Sequence, residues 1–248
     1  MTNKEKIIEA FQKVKAMGWV VSHRSNNTGI GKTFEDCVGV IENNLNEPDL
    51  FGFEIKAHRT ESSSYVTLFT KSPSYPKKGA NAILKDKFGE YYPSSTVKKL
   101  HTSMFANSFN SYIGKYSFRL IHKPEEKKIY IGVYTLGGDT LLDSSVYYTY
   151  ADIEAALINK LHNLFFVSAQ RRYNSNGVEE FYFNSAEIYT EPSLQIFLQM
   201  IDKGEIMYDI RMGSYQSGDK YGMPHDHGSG FRIKEYNIIK LYGSIEKV

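Results

Sequence analysis

Three residues carry the most direct chemical suggestion. Asp49, Glu54 and Lys56 place two carboxylates and one amine within eight residues. From Phe51 to Lys56 bulky apolar residues alternate with others, Gly52 excepted, which predicts a β-strand. Side chains two apart on a strand share a face. Glu54 and Lys56 therefore point one way, and Phe53 and Ile55 point the other way into a core. Asp49 precedes the strand, after Pro48, where the backbone is extended or turning. Two carboxylates converging at a strand end suit a hard divalent cation such as Mg2+. An amine beside them can hold or deprotonate a water aimed at phosphorus, which is what a metal-dependent phosphodiesterase needs. Taken alone, this short window fits a solvated Glu–Lys pair on a surface strand better.

A second set of donors lies near the C-terminus. Asp209, Arg211, Gly213 and Tyr215 alternate onto one face of a predicted strand, and His225, His227 and Arg232 follow in a glycine-rich stretch. Arginine pairs bidentately with guanine and aspartate accepts from the cytosine amine, so these types suit base edges. By residue type alone a solvated loop ranks first, base contact second, and a metal site at His225 and His227 third, because no cysteine is near. The Gly29-Ile30-Gly31-Lys32-Thr33 run is no phosphate-binding P-loop. Asn26 stands where that motif needs its first glycine, and no apolar strand leads into it.

The elements that must position these groups follow from periodicity. Residues 3–17 read as an amphipathic helix with Ile7, Ile8, Phe11 and Val14 as its stripe. A second helix is expected from about Thr33 to Leu45, with Phe34, Cys37, Val38, Ile41 and Leu45 on one arc and Glu35 at its edge. Tyr65–Thr70 reads as a strand and a natural antiparallel partner for the Glu54 strand. Residues 71–112 read as a long basic loop, and hairpins are expected at 116–134 and 165–184. Further helices are expected at 151–164 and 193–203, and further strands at 206–215 and 231–233.

Composition bounds the class. The chain has 248 residues and a formal net charge of +2, too close to neutral for a general polyanion binder. Between Lys71 and His101 seven lysines stand against Asp86 and Glu90, a local surplus of five positive charges that suggests one charged groove. The single cysteine, Cys37, excludes an internal disulfide and fits a reducing cytoplasm. No apolar signal core opens the chain, and no window approaches the roughly 18 apolar residues of a membrane helix.

Taken together, the motifs resemble a known family. Asn27-Thr28-Gly29-Ile30-Gly31-Lys32-Thr33-Phe34-Glu35-Asp36, Pro48-Asp49 through Glu54-Ile55-Lys56, Thr67 to Pro73 and Gly79-Ala80-Asn81 resemble the MvaI/BcnI group of restriction endonucleases. Asn184-Ser185-Ala186, Asp209-Ile210-Arg211, His225-Asp226-His227-Gly228 and Phe231-Arg232-Ile233 match in the same order. The resemblance covers nearly the whole chain. It implies a mixed α+β fold of the PD-(D/E)xK type, related to the MutH nicking enzyme, with a mixed central sheet flanked by helices. A catalytic lobe at about 1–75 and 150–190 and a recognition lobe at about 76–149 and 191–248 would flank a DNA cleft.

The resemblance further implies a Mg2+-dependent monomer that cuts one strand at a time at a CC-x-GG-like site in double-stranded DNA and leaves 5′-phosphate ends. A cognate methyltransferase would be its cellular counterpart. Asp49 and Glu54, with Ile55, would hold the metal, Lys56 would sit by the water, and Glu35 would be a supporting acid. Arg211, His225, His227, Arg232, Asp209, Asp226, Tyr215 and Lys71 would contact DNA. The chain departs from the group's pattern at Gln216, where a histidine is expected, and at Met223-Pro224. The alternatives are a MutH-like repair nuclease and a non-catalytic DNA-binding module.

Overall fold

The structure is a computed structural model describing residues 1–26, 28–40, 49–60 and 64–248. It has mixed α and β elements that form two compact units. The first comprises 1–64, 157–193 and 238–248; the second comprises 65–156 and 194–237.

The first unit is built on one sheet. Strands β1 (Trp19–Val21), β10 (Glu179–Pro192), β9 (Asn163–Tyr173) and β2 (Glu54–Arg59) follow in that spatial order, and β14 (Tyr242–Lys247) also pairs with β10. β2 runs parallel to β9, and the other pairs are antiparallel. Helices α1 (Asn3–Ala16) and α2 (Gly29–Val38) supply Ile7, Phe11, Val14, Ile30 and Phe34 to a core closed by Phe53, Ile55, Phe165, Val167 and Phe183. Thr2 caps α1 in a reciprocal box with Glu5, which fixes its start.

Helix α2 corrects the expected range. It begins at Gly29, and Gly39 ends it at φ 80°, in the left-handed region that favours glycine. Ile41, Leu45 and Pro48 lie outside the described residues. Gly29 sits so close to the preceding turn that an added Cβ would lie 2.3 Å from the Arg24 carbonyl oxygen. That is the packing reason for glycine at this helix start.

The second unit holds a sheet in the order β3 (Tyr65–Thr70), β13 (Gly230–Lys234), β11 (Ile206–Ser214), β5 (Lys98–Met104), β4 (Glu90–Tyr91), with β12 (Pro224–Asp226) also on β11. A three-stranded meander, β6 (Tyr116–Lys123), β7 (Lys128–Thr135) and β8 (Leu141–Thr149), completes its strands. Two expectations fail here. β3 pairs with β13, not with the Glu54 strand, whose partner among the described residues is β9, running parallel to it. The stretch 71–112 is not one loop, since it forms α3 (Ala80–Phe88), β4 and β5. The two expected hairpins are present as β6–β7 and β9–β10. The remaining helices are α4 (Tyr150–Leu161) and α5 (Leu194–Asp202). No helix among the described residues is long and apolar enough to cross a membrane.

Candidate functional site

The face of β2 is as alternation requires. Phe53 and Ile55 are buried in the core, and Glu54, Lys56 and His58 take the opposite face. Register extends that face across the sheet. Glu54 is opposite Leu164, which is opposite Tyr189; Lys56 is opposite Phe166, which is opposite Glu187. The Phe166 ring stacks on His58 at 4.3 Å and on Tyr189 at 5.5 Å, giving the charged pair an aromatic floor.

Before the strand the chain turns tightly. Leu50 and Phe53 bond to each other across the turn, with Phe51 at φ 50° and Gly52 at φ 80°. This turn brings Asp49 back to the strand it precedes. Its Oδ2 accepts from the Ile55 backbone N–H at 2.8 Å. On β2, Lys56 Nζ donates to Glu54 Oε1 at 2.5 Å. The second carboxylate oxygen, Glu54 Oε2, is buried and has no hydrogen-bond partner among the described residues. Glu35 lies on α2, half-buried.

Two hard oxygen donors held at one strand end fit a Mg2+-sized cation, and the unpartnered buried Oε2 is an atom such an ion would satisfy. Among the described residues no group of three or more His, Cys, Asp or Glu side chains could hold a metal ion. That applies equally to His225 and His227.

The second unit gathers the C-terminal donors. Along β11, Tyr208, Ile210 and Met212 face a core, whereas Asp209 and Arg211 line a cavity of about 360 Å³ with His101, Thr102, Ser103 and His227. Asp209 is buried and is the hub of this cluster. Its Oδ1 accepts from Ser103 Oγ at 2.8 Å and its Oδ2 from Arg211 Nε at 2.6 Å. Arg232 Nε lies 2.8 Å from the same Oδ2 without the alignment of a hydrogen bond. Arg232 Nη1 instead donates to Thr67 Oγ1 at 2.7 Å. Burial lowers the Arg232 pKa below its ordinary value, with Asp209 opposing the shift and Arg211 reinforcing it. Both arginines are thus fixed by one carboxylate.

The histidines are stacked in place. His225 lies flat on Tyr215 at 4.6 Å, and His227 lies 4.2 Å from His225. Gly213 makes room for them, since a Cβ there would sit 2.7 Å from the Tyr92 hydroxyl and 3.0 Å from His227 Nε2. Asp226 holds the turn: its Oδ1 accepts from Gly228 and Ser229 N–H groups, and its Oδ2 from Asn81 at 3.3 Å. Lys71 pairs with Asp152 at 3.4 Å.

His101 and Ser103 were missed by sequence reasoning. They face Arg211 and Asp209 across the β5–β11 ladder, and β5 was hidden in the presumed loop. The alternation of Leu100, Thr102 and Met104 with His101 and Ser103 was the available signal. The basic stretch itself is largely engaged with neighbouring groups. Lys85 is buried on Ser214 Oγ, Lys87 pairs with Asp143, Lys99 lies 3.5 Å from Glu90, and Lys98 donates to the Asp86 carbonyl.

A strand bearing a carboxylate–ammonium pair, approached by a second carboxylate from the preceding turn and flanked by helices, is the framework of the PD-(D/E)xK nucleases. The profile of the MvaI/BcnI restriction endonuclease family matches residues 8–242, and the chain belongs to that family. It is a type II restriction endonuclease, a nuclease of the hydrolase class. Two solved structures are similar to it. One is a restriction endonuclease MvaI–cognate DNA substrate complex, 35% identical, with 97% of this chain and 96% of that chain covered and a TM-score of 0.85. The other is restriction endonuclease MvaI in the absence of DNA, 33% identical, with 100% and 98% covered and a TM-score of 0.67. No curated protein matches the chain.

Proposed function

We infer that this enzyme hydrolyses both strands of double-stranded DNA at a CC-x-GG-like site, with Mg2+, cutting one strand at a time as a monomer. The observation that carries the catalytic assignment is the buried, unpartnered Glu54 Oε2 beside the Lys56–Glu54 pair. Asp49 and Glu54 would hold Mg2+, with the Ile55 backbone between them. When bound, the ion offsets charge developing on the phosphate oxygens.

The chain's own groups do the rest. The Ile55 N–H orients Asp49, and Lys56 hydrogen-bonds the attacking water while keeping Glu54 aligned. Glu35 supports from α2. The water oxygen bonds to phosphorus, the bond to the 3′ oxygen breaks, and the products are a 5′-phosphate and a 3′-hydroxyl. Placement of these groups supplies orientation that a free amine and carboxylate lack.

Recognition falls to the second unit. Arg211, Arg232, His225 and His227 would contact base edges, with Asp209 locking the arginine forks and Tyr215 backing His225. His101 joins this set from β5. Asp226 and Lys71, both engaged within the chain, would buttress the reading surface. What supports DNA as the substrate is the likeness to the MvaI–DNA complex over nearly the whole chain. A cytoplasmic setting with a cognate methyltransferase completes the proposal.

Digesting a plasmid of known sequence with purified protein and Mg2+, then sequencing the ends, tests this reading. Discrete double-strand breaks at one short site are expected. Nicks alone would favour a MutH-like role, and intact plasmid would exclude nuclease action at this site.

A further inference from the structure

Besides Glu54 Oε2, the first unit buries two polar side-chain atoms without a partner among the described residues, Asn184 Oδ1 and the Tyr242 hydroxyl, and the latter lies beside the face that carries Glu54. Tyr242, the first residue of β14, is 7% exposed, and its hydroxyl is buried with no hydrogen-bond partner among the described residues. Its ring packs against Tyr189 at 5.4 Å. Tyr189 stands in the same cross-strand row as Glu54, with Leu164 between them. Burial pushes the Tyr242 phenol well above its ordinary 10.0, and the negative charge of Glu54 pushes it further. The hydroxyl is therefore a permanent donor that feels the Glu54 carboxylate.

Buried polar groups are nearly always satisfied, and an ordered water is a usual partner for one that the protein itself leaves unmade. A phenol donates one hydrogen bond, and a carboxylate oxygen accepts through two lone pairs. One water can accept from Tyr242 and donate to Glu54 Oε2, leaving that oxygen a second lone pair for a cation. Tyr189 cannot take this part, because its hydroxyl already donates to Glu187 Oε2 at 2.5 Å.

We propose that Tyr242 is a positioning residue of the catalytic site: its hydroxyl holds one water against Glu54 Oε2 and thereby fixes the carboxylate that receives the divalent cation. This rests on the reading of Asp49 and Glu54 as the cation site. It gives the C-terminal strand a role in catalysis that no motif signals.

The test is Tyr242→Phe beside Glu54→Gln and the wild-type protein. Each is measured for thermal stability without metal, for Mg2+ affinity without DNA, and for cleavage rate against Mg2+ concentration. A cooperative melt of metal-free Tyr242→Phe shows that the variant is folded, so its Mg2+ affinity reads the loss of the hydroxyl. Mg2+ affinity is expected to fall on the order of 10-fold, as for other groups that orient a metal ligand. Cleavage should recover at high Mg2+. Unchanged Mg2+ affinity in Tyr242→Phe, with Glu54→Gln inactive, overturns this inference alone. A wild-type protein that neither binds Mg2+ nor cuts DNA removes the cation site and the inference together.

Discussion

Two acids, Glu54 on β2 and Asp209 on β11, are both almost fully buried, yet they are treated oppositely. Asp209 is fully engaged: Ser103 takes one oxygen, Arg211 takes the other, and Arg232 lies against it. Glu54 has Lys56 on one oxygen and, among the described residues, nothing on the other. A buried acceptor left unmade costs about 1–3 kcal/mol. A fold tolerates that cost where something else is to be bound. The difference separates a fastener from a ligand. On the proposed reading, Asp209 would organise two arginines for DNA, whereas Glu54 would take up a cation itself.

The largest expected effect comes from the Glu54 side. Lys56→Ala removes the ammonium that donates to Glu54 and, on the proposed reading, to the attacking water. Cleavage should fall on the order of 10²–10⁴-fold, the range for a positioned acid–base group, while site-specific DNA binding persists. Single-turnover cleavage beside a gel-shift assay reads both. Full cutting by this variant would erase the distinction drawn above.

Next is the fastener. Asp209→Asn keeps the shape but leaves Arg211 and Arg232 with no shared counter-charge. Discrimination for the cognate site should drop by about 1–3 kcal/mol for each base contact that a loosened arginine loses. Removing Arg232 as well should restore part of the fold stability, because the stranded charge goes with it. Competition binding and thermal melts measure the two consequences. Unchanged discrimination would show that the arginines need no fastening.

The smallest effect is a pH dependence. Burial, then His227, Lys99 and Arg211, lowers the His101 pKa from 6.5. The unfolded chain then binds that proton first, so stability is full above pH 6.5 and declines as pH falls through the unfolded value toward the folded one. His101→Asn should flatten the melting temperature below pH 6.5. The carboxylates with lowered pKa, such as Asp143 and Asp152, act at lower pH and do not mask this window. A melting curve equally steep in the variant would remove His101 from the balance.

How much of this was legible in the sequence divides along the same line. The Glu54–Lys56 face followed from alternation over a few adjacent residues, and local periodicity is enough to read it. The Asp209–Arg211 face was legible for the same reason. The partners were not. Ser103 and His101 reach Asp209 and Arg211 from a strand about a hundred positions earlier. Thr67 reaches Arg232 from farther still. The partner of β2 is β9, set by a parallel crossover that no turn residue announces. The β5 strand was obscured because Lys98 and Lys99 at its start read as loop charge, although the alternation behind them was regular. Tyr242 was illegible for another reason: its meaning lies in a missing bond, and only coordinates show that.

The central claim is that Glu54 is a cation ligand and not a surface partner of Lys56. The most direct measurement is calorimetric titration of Mg2+ into DNA-free wild-type protein and into Glu54→Gln. The account predicts saturable binding to wild type and its loss in the variant. Equal binding by both proteins would contradict it.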